Sequence, residues 1–171
     1  MAGPESKSMV ERIDGDKLLS DSAIISYGSA PYFRDYDVIV DVPTADPTGG
    51  SYIKGRYRFR FTHCVEATVQ TIGTPNAWDD VFTDYAAWEA AGSPEGFVWG
   101  VNWAEAYPGM SYVKDSESAR EWTEKLGHEM HEVLINTNTF DINLIFHDLR
   151  IDLLEKGTPG QKGLTPVPHQ P

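Results

Sequence analysis

The chain has 171 residues, of which 40% are hydrophobic and 12% aromatic, and a formal net charge of −12 at pH 7. That length suits one domain, and this much large apolar side chain offsets the entropy of ordering the chain, which excludes wholesale disorder. The acidity excludes duplex nucleic acid as a partner, because phosphate contacts need clustered Lys and Arg. An acidic surface would steer the chain towards a basic protein partner, but an ordinary solvated surface explains the same charge and is the preferred reading of the charge alone.

The longest apolar runs are short, such as Val38, Ile39, Val40 and Leu144, Ile145, Phe146. They suit buried strands rather than a bilayer, so no membrane role is expected. Cys64 is the only cysteine and the first residues lack the apolar core of a signal peptide. The expected compartment is therefore the reducing cytoplasm.

Residues 1–16 are polar and aperiodic, and 156–171 are rich in Pro and Gly. Both are expected to be flexible tails around a domain spanning 17–155. Within that domain 23–27, 36–42, 52–62 and 65–72 are rich in β-branched and aromatic residues and separated by Pro, Gly, Asp and Ser, which predicts four strands. Trp78, Phe82, Tyr85 and either Trp88 or Glu89 then repeat at helical spacing before Gly92 and Pro94, predicting a helix that buries its aromatic side. A strand follows over 97–103, and Pro108-Gly109 occupies the central positions of a type II turn within YPGMSY.

Ser116 is placed to cap a second helix that Gly127 ends, with Ala119, Trp122 and Leu126 as its apolar contacts. The strands 130–137 and 140–153 close the chain as a hairpin around Asn138. This order lacks the regular β-α alternation of parallel folds. It predicts a single α+β domain: an antiparallel β-sheet with about two helices packed on one face.

The strand 52–62 alternates Lys54, Arg56, Arg58 and Arg60 with Ile53, Tyr57, Phe59 and Phe61, so it has one basic and one apolar face. The preceding strand carries Asp35, Asp37 and Asp41 opposite Tyr36, Val38, Val40 and Val42. Any antiparallel register that joins the apolar faces sets aspartates opposite arginines. The ladder is thus a device for register, and an anion or RNA site there would already be neutralised.

Candidate chemistry rests on few residues. His63 and Cys64 resemble a base and a nucleophile, but adjacent strand residues face opposite sides, so a partner such as His131 or His147 would have to come from another strand. His128 to Glu132 reads HxxHE rather than the HExxH that places two ligands on one helix face. A metal site would instead need His128, His131 and His147 to meet in space. His147 and Asp148 interrupt an apolar run, which reads as a strand end or bulge where Asp148 pairs with Arg150, or as a site at the sheet rim.

The stretch FVWGVNWAEAYPGMSY offers Asn102, Glu105, Tyr107, Met110 and Tyr112 as a recognition patch, with Trp99 and Trp103 turned inward. No GxGxxG, P-loop, GxSxG or CxxC pattern is present, which removes the usual support for nucleotide, hydrolase and redox classes. No cofactor is expected.

The strings FRDYDVIVDVP, GRYRFRFTHC, WDDVFTDYAAWEAAGSPEGFVWGVNWAEAYPG and MHEVLINTNTFDINLIFHDLRI resemble the YxiG-like domain of small uncharacterised bacterial proteins. The resemblance covers most of the domain and brings no catalytic residues with it. It implies an immunity-type partner in polymorphic toxin systems. Together with the acidity and the missing catalytic motifs, it favours a binding module that neutralises a basic toxin. The alternative is an enzyme or a ligand- or metal-binding protein using His63, His131, His147 and Asp148.

Overall fold

The computed structural model describes residues 8–14, 18–31, 34–45, 51–71, 89–92 and 104–156. Among these are two helices, α1 (Met9–Asp14) and α2 (Glu117–Leu126), and eight strands: β1 (Ala23–Ser29), β2 (Tyr36–Ala45), β3 (Ser51–Thr62), β4 (Glu66–Thr71), β5 (Ala104–Tyr112), β6 (His131–Thr137), β7 (Phe140–Phe146) and β8 (Asp148–Lys156). The strands form one sheet in the order β4-β7-β6-β5-β1-β2-β3-β8, and every described pairing is antiparallel.

The sheet is really two four-stranded halves, because β1 and β5 share only the pairs Ala23 with Glu105 and Ile24 with Ala104. Their other link is a crease. The run β3-β4 lies antiparallel to the run β7-β8, with β3 on β8 and β4 on β7. Both runs break at the same level, at residues 63–65 and at His147. Hydrogen bonds carry the pairing across the break, from His147 N to the Thr62 carbonyl (3.0 Å) and from Val65 N to the Ile145 carbonyl (2.8 Å).

The apolar face of each half turns to one shared core. Val38, Val40, Phe59, Phe61 and Leu149 from one half join Val133, Ile135, Ile142, Leu144 and Phe146 from the other, all fully buried. The rings of Phe61 and Phe146 meet edge to face at 4.9 Å between centroids. At about 25 cal/mol per Å² of apolar surface, this contact set is the main stabilising contribution.

On the outer face the charge ladder forms in the expected register, with Asp37 opposite Arg60 and Asp41 opposite Arg56. The ion pairs Arg56–Asp41 and Arg60–Asp37 each close to 2.7 Å. Arg58 departs from the expectation, since Ile39 faces it on β2 and its carboxylate is Asp152 of β8, at 2.7 Å. Lys54 falls in the register shift beside Val42 and Pro43 and so leaves the ladder.

Four further expectations are corrected. The tail expected over 1–16 contains α1, and Ile13 is fully buried in the core, because one short amphipathic turn escapes a search for long periodic runs. YPGMSY is no turn: it lies inside β5, where a bulge between Ala106 and Gly109 absorbs Tyr107 and Pro108. Gly109 has φ +107°, and a Cβ there would sit 3.2 Å from the Ser20 backbone, so the close approach of residues 18–22 requires glycine. The single strand expected over 140–153 is two strands that belong to different halves of the sheet. Asp148 pairs with Arg12 of α1 at 2.7 Å, not with Arg150.

Of the helix expected over 78–89, the described part is its end, where the Gly92 amide donates to the Glu89 carbonyl at 3.0 Å. The rest, the strand expected over 97–103 and the tail 156–171 beyond Lys156 lie outside the described residues, as does the placing of both expected helices on one face. Helix α2 begins and ends as expected. Ser116 Oγ accepts from Ala119 N at 3.0 Å, and Gly127 closes the helix in the left-handed conformation, φ 70°. No described helix is long and apolar enough to cross a membrane.

Candidate functional site

Helix α2 packs on the side of β7 away from the main core. Ile145 alternates with the core residues Leu144 and Phe146, and it meets Ala119, Met130, Val65 and Trp122 in a second small cluster. Two polar ties hold the helix there. Trp122 Nε1 donates to Glu66 Oε1 at 2.6 Å, and Ser116 Oγ donates to Glu132, whose other oxygen accepts from Asn143 Nδ2 at 2.7 Å. The loop after the helix is pinned by Met130 N, which donates to Thr123 Oγ1 at 2.9 Å.

This docking places the loop beside the crease and leaves a pocket of about 430 Å³ between them. It is lined by Arg34 and His63, by Cys64 and Val65 from the crease, by Leu126, His128 and Met130 from the end of α2 and its loop, and by His147. Each lining stretch is held by backbone bonds. Cys64 N donates to the Arg34 carbonyl at 2.6 Å, and His63 N donates to Asp35 Oδ1 at 3.1 Å. His63 itself is in the left-handed region with φ 48°, a conformation uncommon for a side chain other than glycine. The turn it makes breaks β3 from β4 and sends the imidazole to the pocket.

Three histidines meet here. The His147 ring lies 5.8 Å from that of His63 and 5.7 Å from that of His128, between centroids. His147 Nδ1 donates to the Glu129 carbonyl at 2.8 Å, which fixes the ring and its tautomer. Among the described residues no three His, Cys, Asp or Glu side chains are grouped so as to hold a metal ion.

The other candidates are elsewhere. His131 is buried on the core face of β6, its ring 6.0 Å from Phe146, and hydrogen-bonds Tyr112 Oη through Nδ1 at 3.1 Å. Burial lowers its pKa, so it stays neutral in the core. It does not join His128 and His147 at the pocket. Asp148 is engaged with Arg12: burial opposes its ionisation, but the Arg12 hydrogen bond prevails and its pKa is lowered. Asp148 is therefore a tie between α1 and β8.

Cys64 does line the pocket, but its thiol is pushed up to about 12 by burial and donates to the Glu66 carbonyl at 3.2 Å. A thiol held that way is no nucleophile at neutral pH. In the aromatic stretch, Tyr107 is 69% exposed, whereas Met110 and Tyr112 are half-buried against the core. Glu105 is half-buried in β5, with its pKa raised by burial and by Asp21, and Asn102 lies outside the described residues.

Sequence reasoning missed Arg34 and Leu126 as pocket residues. Leu126 was expected to pack under α2, yet it is 44% exposed at the pocket rim. A signal was available, since Leu126 immediately precedes the Gly127 stop, where a side chain overhangs the end of a helix instead of its flank.

No curated protein and no solved structure matches the chain significantly. Residues 7–162 match the YxiG-like protein family, a span that runs from just before α1 to beyond β8 and includes every residue of the pocket. The chain belongs to the YxiG-like protein family.

Proposed function

We propose that this chain is a small-molecule-binding protein whose site is the pocket at the crease. The observation that carries this reading is convergence. Arg34, the crease residues, the loop after α2 and His147 are far apart in sequence, yet all line one cavity of about 430 Å³. That volume lies within the roughly 300–1,000 Å³ range of ligand pockets, and a few polar groups above apolar walls is their usual composition. The protonated Cys64 thiol supports binding over covalent catalysis.

The test is a fragment screen read by NMR on the histidine side chains. Hits should shift His63, His128 and His147 together and leave His131 unmoved, and Leu126→Trp, which fills the rim, should abolish the shifts. Absence of any fragment that moves the three rings as a set would sink the reading.

A protein partner is the second reading, carried by Tyr107, which stands 69% exposed on a chain of net charge −12. An exposed aromatic on an acidic body suits an immunity-type module that engages a basic toxin in the cytoplasm. A stoichiometric basic protein retained at low salt, and lost both at high salt and with Tyr107→Ala, would support it. Retention that ignores salt would remove it.

A further inference from the structure

The three imidazoles of the pocket form a herringbone. His147 stands between His63 and His128, its ring 5.8 Å from the first at an interplanar angle of 69° and 5.7 Å from the second at 52°. Aromatic rings favour such edge-to-face and tilted contacts, because the positive edge of one meets the negative face of the next, and a further flat ring extends the set. Beside the imidazoles lie Val65, Leu126 and Met130. The thioether of Met130 is polarisable and makes favourable contacts with aromatic edges. A saturated ring would fill the same volume and gain neither kind of contact.

The surroundings do not select an ion. Arg34 has a partner of its own within the chain, so it is not free to draw an anion. At the wall, the Cys64 thiol is pushed up to about 12, first by burial and further by Asp35 and Glu66. Burial disfavours the charged form of any group placed there, and the nearby carboxylates disfavour an anion again.

His147 adds one polar condition. The Glu129 carbonyl that holds its Nδ1 can only accept, so in the neutral ring Nδ1 carries the hydrogen and Nε2 is a lone-pair acceptor. Among the described residues none donates to Nε2. A ligand lying against this ring completes it with an N–H or O–H.

We propose that the ligand is an uncharged, flat aromatic molecule bearing one N–H or O–H, its ring laid against the imidazoles and Met130 and its hydrogen donated to Nε2 of His147. This rests on the pocket being a ligand site.

The experiment follows the histidine side-chain NMR shifts of the full chain at pH about 8, where an ordinary imidazole is neutral and a phenol-type hydroxyl still protonated. The probes are 2-naphthol and three relatives of the same bicyclic frame. Its methyl ether lacks the donor, decahydro-2-naphthol lacks the aromatic ring, and 2-naphthoate is charged. The naphthol should move His63, His128 and His147 together and bind at least about fivefold tighter than each of the others. His147→Phe keeps a flat ring without the acceptor and should bind the naphthol and its ether equally, with a melting curve to check folding. The ether tests the same acceptor on the unaltered chain.

Naphthoate binding as tightly as naphthol overturns the uncharged ligand, and equal binding of the saturated alcohol overturns the aromatic one. Equal binding of the ether to the unaltered chain, or a preference for the naphthol that survives in His147→Phe, overturns the role of Nε2. In each case the histidines still move and the pocket reading stands. If none of the four binds while another fragment moves the three rings, the ligand class falls and the pocket stands. If no fragment moves them, both fall together.

Discussion

The outer face of β3 and the crease at its end put similar side chains in opposite circumstances. Along the strand, Arg56, Arg58 and Arg60 each meet a carboxylate at 2.7 Å, from Asp41, Asp152 and Asp37. At the crease, His63, His128 and His147 are drawn together in one cavity whose other walls include Val65, Leu126 and Met130. Neutralised charge specifies which strand lies beside which, and contributes only about 0.2–1 kcal/mol per pair. Imidazole rings gathered in a concave site with apolar walls are placed as a ligand site would place them. The contrast therefore sets the architecture apart from the proposed site within a few residues of one strand.

The contrast depends on the inner face of β3, which holds both regions in place. Phe59 is fully buried, opposite Val38 on β2 and Ile151 on β8. Phe59→Ala should cost about 3–5 kcal/mol by removing a packed ring from the shared core. Chemical denaturation measures it, and a loss below about 1 kcal/mol would mean that the apolar face is not where the fold is anchored.

The ladder itself should respond much more weakly. Arg58→Glu removes one solvent-accessible pair with Asp152 and should cost about 1 kcal/mol, most of it recovered by adding Asp152→Arg. Asp37→Lys should give no recovery, because Asp37 is committed to Arg60 at 2.7 Å. Recovery by Asp37→Lys and not by Asp152→Arg would show that the cross-strand register is wrong. Loss of the fragment shifts of the three histidines on Arg58→Glu, with stability intact, would erase the distinction between ladder and crease.

How much of this was legible in the sequence follows from the range of the forces involved. Alternation is local, so Phe59 and Phe61 inward, Arg56 and Arg60 outward, and the aspartates opposite them could be read from period two alone. The partner of Arg58 could not, because β8 reaches β3 from 94 residues away and alternation does not say which strand will lie on the open side. The caps of α2 were legible because Ser116 and Gly127 act on their own backbones. The pocket was only half legible. His63, Cys64, His128 and His147 stood out as chemistry, but what joins them is a break shared by two long paired runs. His63-Cys64 was read as strand alternation when it is in fact a left-handed turn. His131 was grouped with the other histidines by spacing, and its place on the alternating core face of β6 sends it to the opposite side.

The smallest expected effect is the most discriminating, and it concerns His63. Its φ of 48° is a conformation that costs an L-residue about 1–2 kcal/mol, whereas glycine adopts it freely. His63→Gly keeps the backbone N–H that donates to Asp35 Oδ1 and removes only the ring. Relief of strain and the greater entropy of the unfolded glycine chain nearly cancel, at about 1 kcal/mol each, so the melting midpoint should move by only a few degrees. His63→Val keeps a side chain but is branched at Cβ, strongly disfavours the left-handed conformation and should destabilise clearly. The pair thus separates backbone from imidazole. If glycine leaves the melt unchanged yet removes the fragment shifts of His128 and His147, the strained turn is there to present a ring to a ligand. If glycine destabilises as much as valine does, the ring is packing against His147 as a structural part of the crease, and the histidines there are no different in kind from the paired arginines beside them.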